Sequence, residues 1–174
     1  MAQRKQGSKV SSTVGLARTL GVAGTHRRTM SASDSPEWDL AEGTIDGQRT
    51  ILRLLAIAPS PAEQKENAYL IMVKWPFEPT PDGMPSSDEQ DDMLAFEQAV
   101  ADGSEQRRSG RLVLVITGAN ERQWRYYATD AEAFIQSVNQ DLAGHPRYPL
   151  QIVYYQDPDW VGLHEYQALV QRDA

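Results

Sequence analysis

Near the end of the chain, "YYQDPDW" (residues 154–160) gathers two tyrosines, two aspartates and a tryptophan into seven positions. Rings beside carboxylates could hold a ligand by stacking and hydrogen bonding. With His164 close behind, Asp157 and Asp159 also form a conceivable mixed metal set. The order of residues favours a plainer reading. Asp157 and Pro158 end a strand, because proline cannot donate to a ladder and restricts the residue before it. Asp159 is then positioned to cap the following segment, and Trp160 to pack that segment back on the sheet. Alternation along the strand turns Tyr154 toward the core and Tyr155 toward the other face.

Other chemistry finds little support. The three histidines, His26, His145 and His164, include no i, i+4 pair, and there are no cysteines. Thiolate sites, disulfides and a zinc helix are therefore excluded, and the expectation is no metal. No GxxxxGK[ST] or GxGxxG loop is present, so no nucleotide cofactor is expected. Ser86, Ser87 and Ser109 lie in loops or at a cap without a nucleophile-elbow context, and Asp82 and Glu97 cannot be set at a catalytic separation from sequence. No catalytic residues are assigned.

The charge is unevenly divided. Residues 1–33 carry six basic residues and no acidic one, so a net charge of −7 for the whole chain leaves −13 on residues 34–174. An acidic body repels phosphate backbones, which argues against nucleic acid as the main partner. No stretch approaches the ~18 uninterrupted apolar residues of a membrane span. Residues 1–33 read as a basic disordered tail or a start assigned too far upstream, and residues 34–174 as one domain; the location expected is cytoplasmic.

The elements that must position these side chains follow from periodicity. Asp46-Gly47 joins two β-rich stretches as a hairpin. The Pro-rich "APSPAEQKEN" reads as a linker, and "AYLIMVKW" as a central strand covered on both faces. "PFEPTPDGMP" can only be a loop. Ser86 or Ser87 caps a helix with Glu89 or Gln90 three residues on, and Met93, Phe96 and Val100 form its buried stripe. Gly103 stops it. "RLVLVITG" and "RQWRYYATD" form a hairpin through "ANE". Asp130 caps a second helix, "YPLQIVYYQD" is the last strand, and a short helix closes the chain.

This order predicts an α+β fold: a ferredoxin-like split βαβ sandwich (βαββαβ), preceded by an N-terminal β-hairpin and closed by a short C-terminal helix. Both crossover helices would lie on one sheet face, with strands 69–75 and 122–128 central. Alternation sets Trp124 and Tyr126 on one face, and Gln123, Arg125 and Tyr127 on the other with Tyr155. If the helices cover the first face, Arg125, Tyr127 and Tyr155 lie on an open surface. Such a face more often meets another protein or a second copy than RNA, whose consensus is absent here.

"EW" with "IDG", "VKWPF", "DGMPSSDE", "LVLVITGANERQWRYYATD" and "DPDW" occur in an order that resembles the bacterial domain of unknown function 695. The resemblance runs from Trp38 to Tyr166. It implies no established activity. It also implies an architecture similar to the ribonuclease E regulator B proteins, small acidic ferredoxin-like proteins that bind and inhibit an RNA-degrading enzyme.

The expectation is thus a non-catalytic interaction or regulatory domain. It would bind a protein partner, or itself, through an acidic surface and a sheet face, with Arg125, Tyr127, Tyr155, Trp160 and Asp82 as candidate contacts. The alternative is a small-ligand binder or enzyme. Its groove would lie between the 76–90 loop and the 157–166 segment, lined by Asp82, Trp160 and His164.

Overall fold

The computed structural model describes residues 3–4, 38–57, 59–107 and 109–172. Apart from Gln3 and Arg4, the segment read as a basic tail lies outside them.

Strands β2 (Trp38–Ile45) and β3 (Gln48–Leu55) turn through Asp46 (φ 52°) and Gly47 (φ 77°). Both are left-handed, as the twist-matched two-residue hairpin turn requires. The Pro-rich linker contains a short helix, α1 (Pro61–Glu66). Ser60 Oγ accepts from the Glu63 amide at 3.3 Å, and Pro61 stands in the first turn, where its missing N–H leaves nothing unpaired.

Strand β4 (Tyr69–Pro76) leads into the Pro-rich loop and α2 (Ser87–Arg107). Ser86 is the cap, accepting from the Glu89 amide at 3.3 Å. Gly103 does not stop α2. It is buried within the helix, and a Cβ there would collide with the Asp141 carboxylate of α3 (Ala131–Asp141). The Asp141 and Arg107 side-chain ends lie over its Cα, and the helix continues through it despite the ~1 kcal/mol helix cost of glycine. Strands β5 (Arg111–Gly118) and β6 (Glu121–Ala128) join through Ala119 (φ 52°) and Asn120 (φ 60°). Asp130 caps α3, accepting from the Glu132 and Ala133 amides, and β7 (Gln151–Gln156) and α4 (Val161–Arg172) complete the chain.

One sheet runs in the order β1-β7-β4-β6-β5-β3-β2, where β1 is the pair Gln3–Arg4, parallel to β7. All other pairings are antiparallel, with β4 and β6 in the middle as expected. The fold is α+β. The hairpin β2–β3 extends the sheet beyond β5.

Each face has its own core. On one, α2 and α3 bury Met93, Phe96, Val100, Phe134 and Val138 against Ile71, Val73, Trp75, Trp124 and Tyr126. On the other, Trp160, Leu163 and Tyr166 cover Leu52, Leu54, Leu70, Leu114 and Tyr127. Each large apolar side chain removed from water contributes about 1.5–3 kcal/mol, so the second core is a major stabilising layer. It also explains why "AYLIMVKW" and "RLVLVITG" are apolar on both sides.

Candidate functional site

The C-terminal helix is docked by a latch built from the 154–160 segment. Asp157 is buried, and its carboxylate accepts from the Tyr127 hydroxyl (2.5 Å) and from the amides of Val161 (3.0 Å) and Gly162 (2.9 Å). Asp157, rather than the expected Asp159, therefore caps α4. The physical reason lies at Trp160, whose φ of 52° turns the backbone so that the first helical amides face back toward Asp157.

A bulky residue is costly in that left-handed region, and here the surroundings hold it. The Trp160 ring stacks on Tyr127 with centroids 3.8 Å apart and planes 6° off parallel. Its indole N–H is shared between the Gln64 and Asn67 carbonyls at 3.0 Å each. Gly162 completes the fit: a Cβ there would stand 2.5 Å from Leu70 Cδ2.

Arg125 extends the latch along the same sheet face. Its Nε donates to Gln123 Oε1 (2.6 Å), one terminal nitrogen to the Gly162 carbonyl (2.7 Å) and the other to the Tyr166 hydroxyl (3.4 Å). The guanidinium also covers the Tyr166 ring at 4.7 Å. It ties α4 to β6, so it is not a free cation on an open surface.

Past Tyr166, α4 leaves the end of this face uncovered, and a cleft of 310 Å³ remains. Lys74, Gln123 and Ile116 line it together with Arg125, between the turns at Asp46 and Ala119 and the side of Tyr166. Lys74 Nζ is 3.3 Å from Glu121, and the buried Gln123 amide bridges Glu121 (3.4 Å) and Arg125. Gly118 permits the narrow floor, since a Cβ there would meet the Arg49 carbonyl at 2.6 Å. The lining is polar and of mixed charge. It suits hydrogen bonding to a small polar group or an inserted side chain.

The expected contacts therefore separate. Tyr127 shares the face of Arg125 and Tyr155, as alternation implied, but it is fully buried beneath Trp160 and is not part of an open surface. Trp160 is likewise fully buried, as a packing residue. Tyr155 remains 45% exposed. Asp82 is exposed in the loop after β4, where Thr80 and Arg49 (3.0 Å) hold its carboxylate. The Thr80 hydrogen bond, more than the Arg49 charge, holds its pKa below the usual carboxylate value.

Asp82 and Trp160 do not meet. The first follows the C-terminal end of β4 and the second packs beside Asn67 at its start, and an eight-residue strand spans roughly 25 Å. The groove expected between loop 76–90 and segment 157–166 is thus replaced by the cleft beside Tyr166. His164 Nδ1 lies 3.2 Å from Gln167, and among the described residues no group of three acidic or histidine side chains is placed to hold a metal. Among them also, no helix is long and apolar enough to cross a membrane. Sequence reasoning missed Lys74 and Gln123. The only available signal was polar residues at inward positions of apolar strands.

Burial raises the phenols of Tyr126 and Tyr127 well above their ordinary value of 10, and the bond to Asp157 adds to this for Tyr127. Above pH ~10 the unfolded chain loses protons that the folded chain keeps. The contribution of these two phenols should therefore be flat below that pH and fall above it by about 1.4 kcal/mol per pH unit for each. Absorbance at 295 nm, followed with circular dichroism, should show two of the seven tyrosines ionising only as the protein unfolds. Reversible ionisation of all seven with the fold intact would contradict this arrangement.

Searches among curated proteins and among solved structures found no match. The model of a family of unknown function matches residues 36–167, from just before β2 to the middle of α4, and so takes in the latch, the cleft and the fully buried residues of both cores. On that match the chain belongs to DUF695, a family of unknown function.

Proposed function

We propose that this protein is a non-catalytic interaction domain that binds a protein partner through the sheet surface α4 leaves uncovered. The observation that carries the reading is the exposure of Tyr155 together with the open cleft beyond Tyr166. In the sheet register Tyr155 and Val153 lie across from Leu70 and Met72 of β4, while Gln151 lies across from Lys74 of the cleft. Tyrosine supplies contact area at low entropic cost, and a recess beside it can receive a partner side chain.

The charge supports a basic partner. Asp88, Asp91 and Asp92 are exposed on α2, and Asp159 and Glu165 are exposed at α4. At Tyr155, burial raises the phenol above its ordinary pKa, Arg125 opposes this, and Asp157 and Glu165 add to it. A basic partner would be steered to this body and would lose affinity with added salt.

The wider reading is a cytoplasmic regulator comprising residues 34–174 as one domain. Strand order β7-β4-β6-β5, with α2 and α3 packed on one side, supports a ferredoxin-like core within the larger sheet. Likeness to the small acidic regulators of an RNA-degrading enzyme belongs to this proposal and rests on architecture alone.

A photo-crosslinking amino acid placed at Tyr155 or Gln48 should give partner adducts in cells, and one at Gln98 on α2 should not. The adducts should fade in extracts at about 0.5 M salt. Equal labelling from all three positions would remove the proposal. The second reading, a small-ligand site, rests on the cleft volume of 310 Å³; it fits a result with no protein adducts at either position.

A further inference from the structure

On the opposite face, beneath α2, one carboxylate pairs with one guanidinium, and a second guanidinium lies nearby. Glu97 receives Arg53 at one oxygen (2.5 Å) and the Trp124 indole N–H at the other (2.8 Å). Arg122 lies on the same side of β6 as Trp124. The register sets Arg53 across from Val115 and Trp124, and Arg122 across from Thr117, one step along. Arg122 Nε donates to Thr117 Oγ1 at 2.9 Å, and its guanidinium lies 6.0 Å from the Trp124 ring centre. Among the described residues, no hydrogen bond engages its two terminal nitrogens.

The same place is short of acceptors in other ways. Arg53 Nε and the Tyr126 hydroxyl are both buried without a partner. Burial lowers the Arg122 pKa, with Glu97 opposing and Arg53 reinforcing that effect, so the three charges sense one another. Tyr126 senses Glu97 and Arg53 as well. Arg49, farther along β3, is by contrast bound to two carboxylates, Glu42 (2.7 Å) and Asp82 (3.0 Å). On an acidic body, two cations beside a single carboxylate, with buried donors left over, suit an anionic acceptor.

We propose that Arg53 and Arg122 form a binding site for a small oxyanion between α2 and the sheet, with Glu97 orienting Arg53 from its other side. The Arg53 side chain is 36% exposed, which gives a solvent path beside Trp38, whose ring it covers at 5.1 Å. Guanidinium forks match oxyanion geometry, so phosphate or a carboxylate would fit where chloride would not.

The test uses the full chain, with melting temperature and tryptophan fluorescence followed as sodium phosphate or sodium acetate is added, against sodium chloride at equal ionic strength. Phosphate should raise the melting temperature saturably beyond chloride, and acetate in its place would assign the site to a carboxylate. Arg122→Gln should weaken binding about tenfold or more, as loss of a charge-assisted pair implies. Arg122→Lys, which keeps the charge, should weaken it less, and Arg49→Gln should leave it unchanged. Equal effects of all three salts, or undiminished phosphate binding by folded Arg122→Gln and Arg122→Lys proteins, would overturn the proposal.

Discussion

Replacing Trp160 with alanine should destabilise the protein by about 3–5 kcal/mol, the range for removing a fully buried aromatic side chain. Three losses coincide at this residue. The stack on Tyr127 disappears, the bifurcated bond to the Gln64 and Asn67 carbonyls is gone, and a cavity opens between α4 and the sheet. Alanine also tolerates the left-handed backbone at this position poorly, so nothing offsets the missing contacts. Urea unfolding with hydrogen exchange would measure the effect. Protection of α4 amides should fall first, while the core formed by Phe96, Trp124 and Phe134 on the other face keeps more of its protection. Uniform loss across both faces would mean that the two cores are one cooperative unit, and wild-type stability would mean that the latch is not what holds α4.

Asp157→Ala should cost nearly as much, about 3 kcal/mol, by a different route. The substitution strands the Tyr127 hydroxyl in a buried place and leaves two first-turn amides of α4 without their acceptor. Removing one partner of a buried bond exposes the full desolvation cost of the other. A double-mutant cycle checks this. On a Tyr127→Phe background the same substitution should cost less, because there is no hydroxyl left to strand. Strict additivity would show that Asp157 acts on the helix terminus alone.

Both predictions depend on an arrangement that the sequence suggested only in part. "YYQDPDW" was legible as a strand end followed by a packed tryptophan, because proline and strand alternation act locally. That Asp157 rather than Asp159 caps the helix was not legible. It depends on the left-handed turn at Trp160, which is held by a ring from β6, a carbonyl of α1 and another of the α1–β4 connection, residues distant in sequence. Gly103 carries the same lesson. As a local signal glycine ends helices, yet here α2 runs on through it to Arg107, with the Asp141 side chain of α3 lying over its Cα.

By itself, the sequence determined the α+β alternation, both tight hairpin turns, a cap at Ser86 or Ser87 and one at Asp130, and which strand residues share a face. Each follows from backbone geometry over a few residues. Only the tertiary structure decided whether a shared face is open. Arg125, Tyr127 and Tyr155 stand on one side of the sheet, but α4 crosses it, burying Tyr127, engaging Arg125 and leaving Tyr155 and the Lys74–Gln123 cleft exposed. Alternation fixes the direction of a side chain; coverage depends on where a helix from elsewhere in the chain comes to rest.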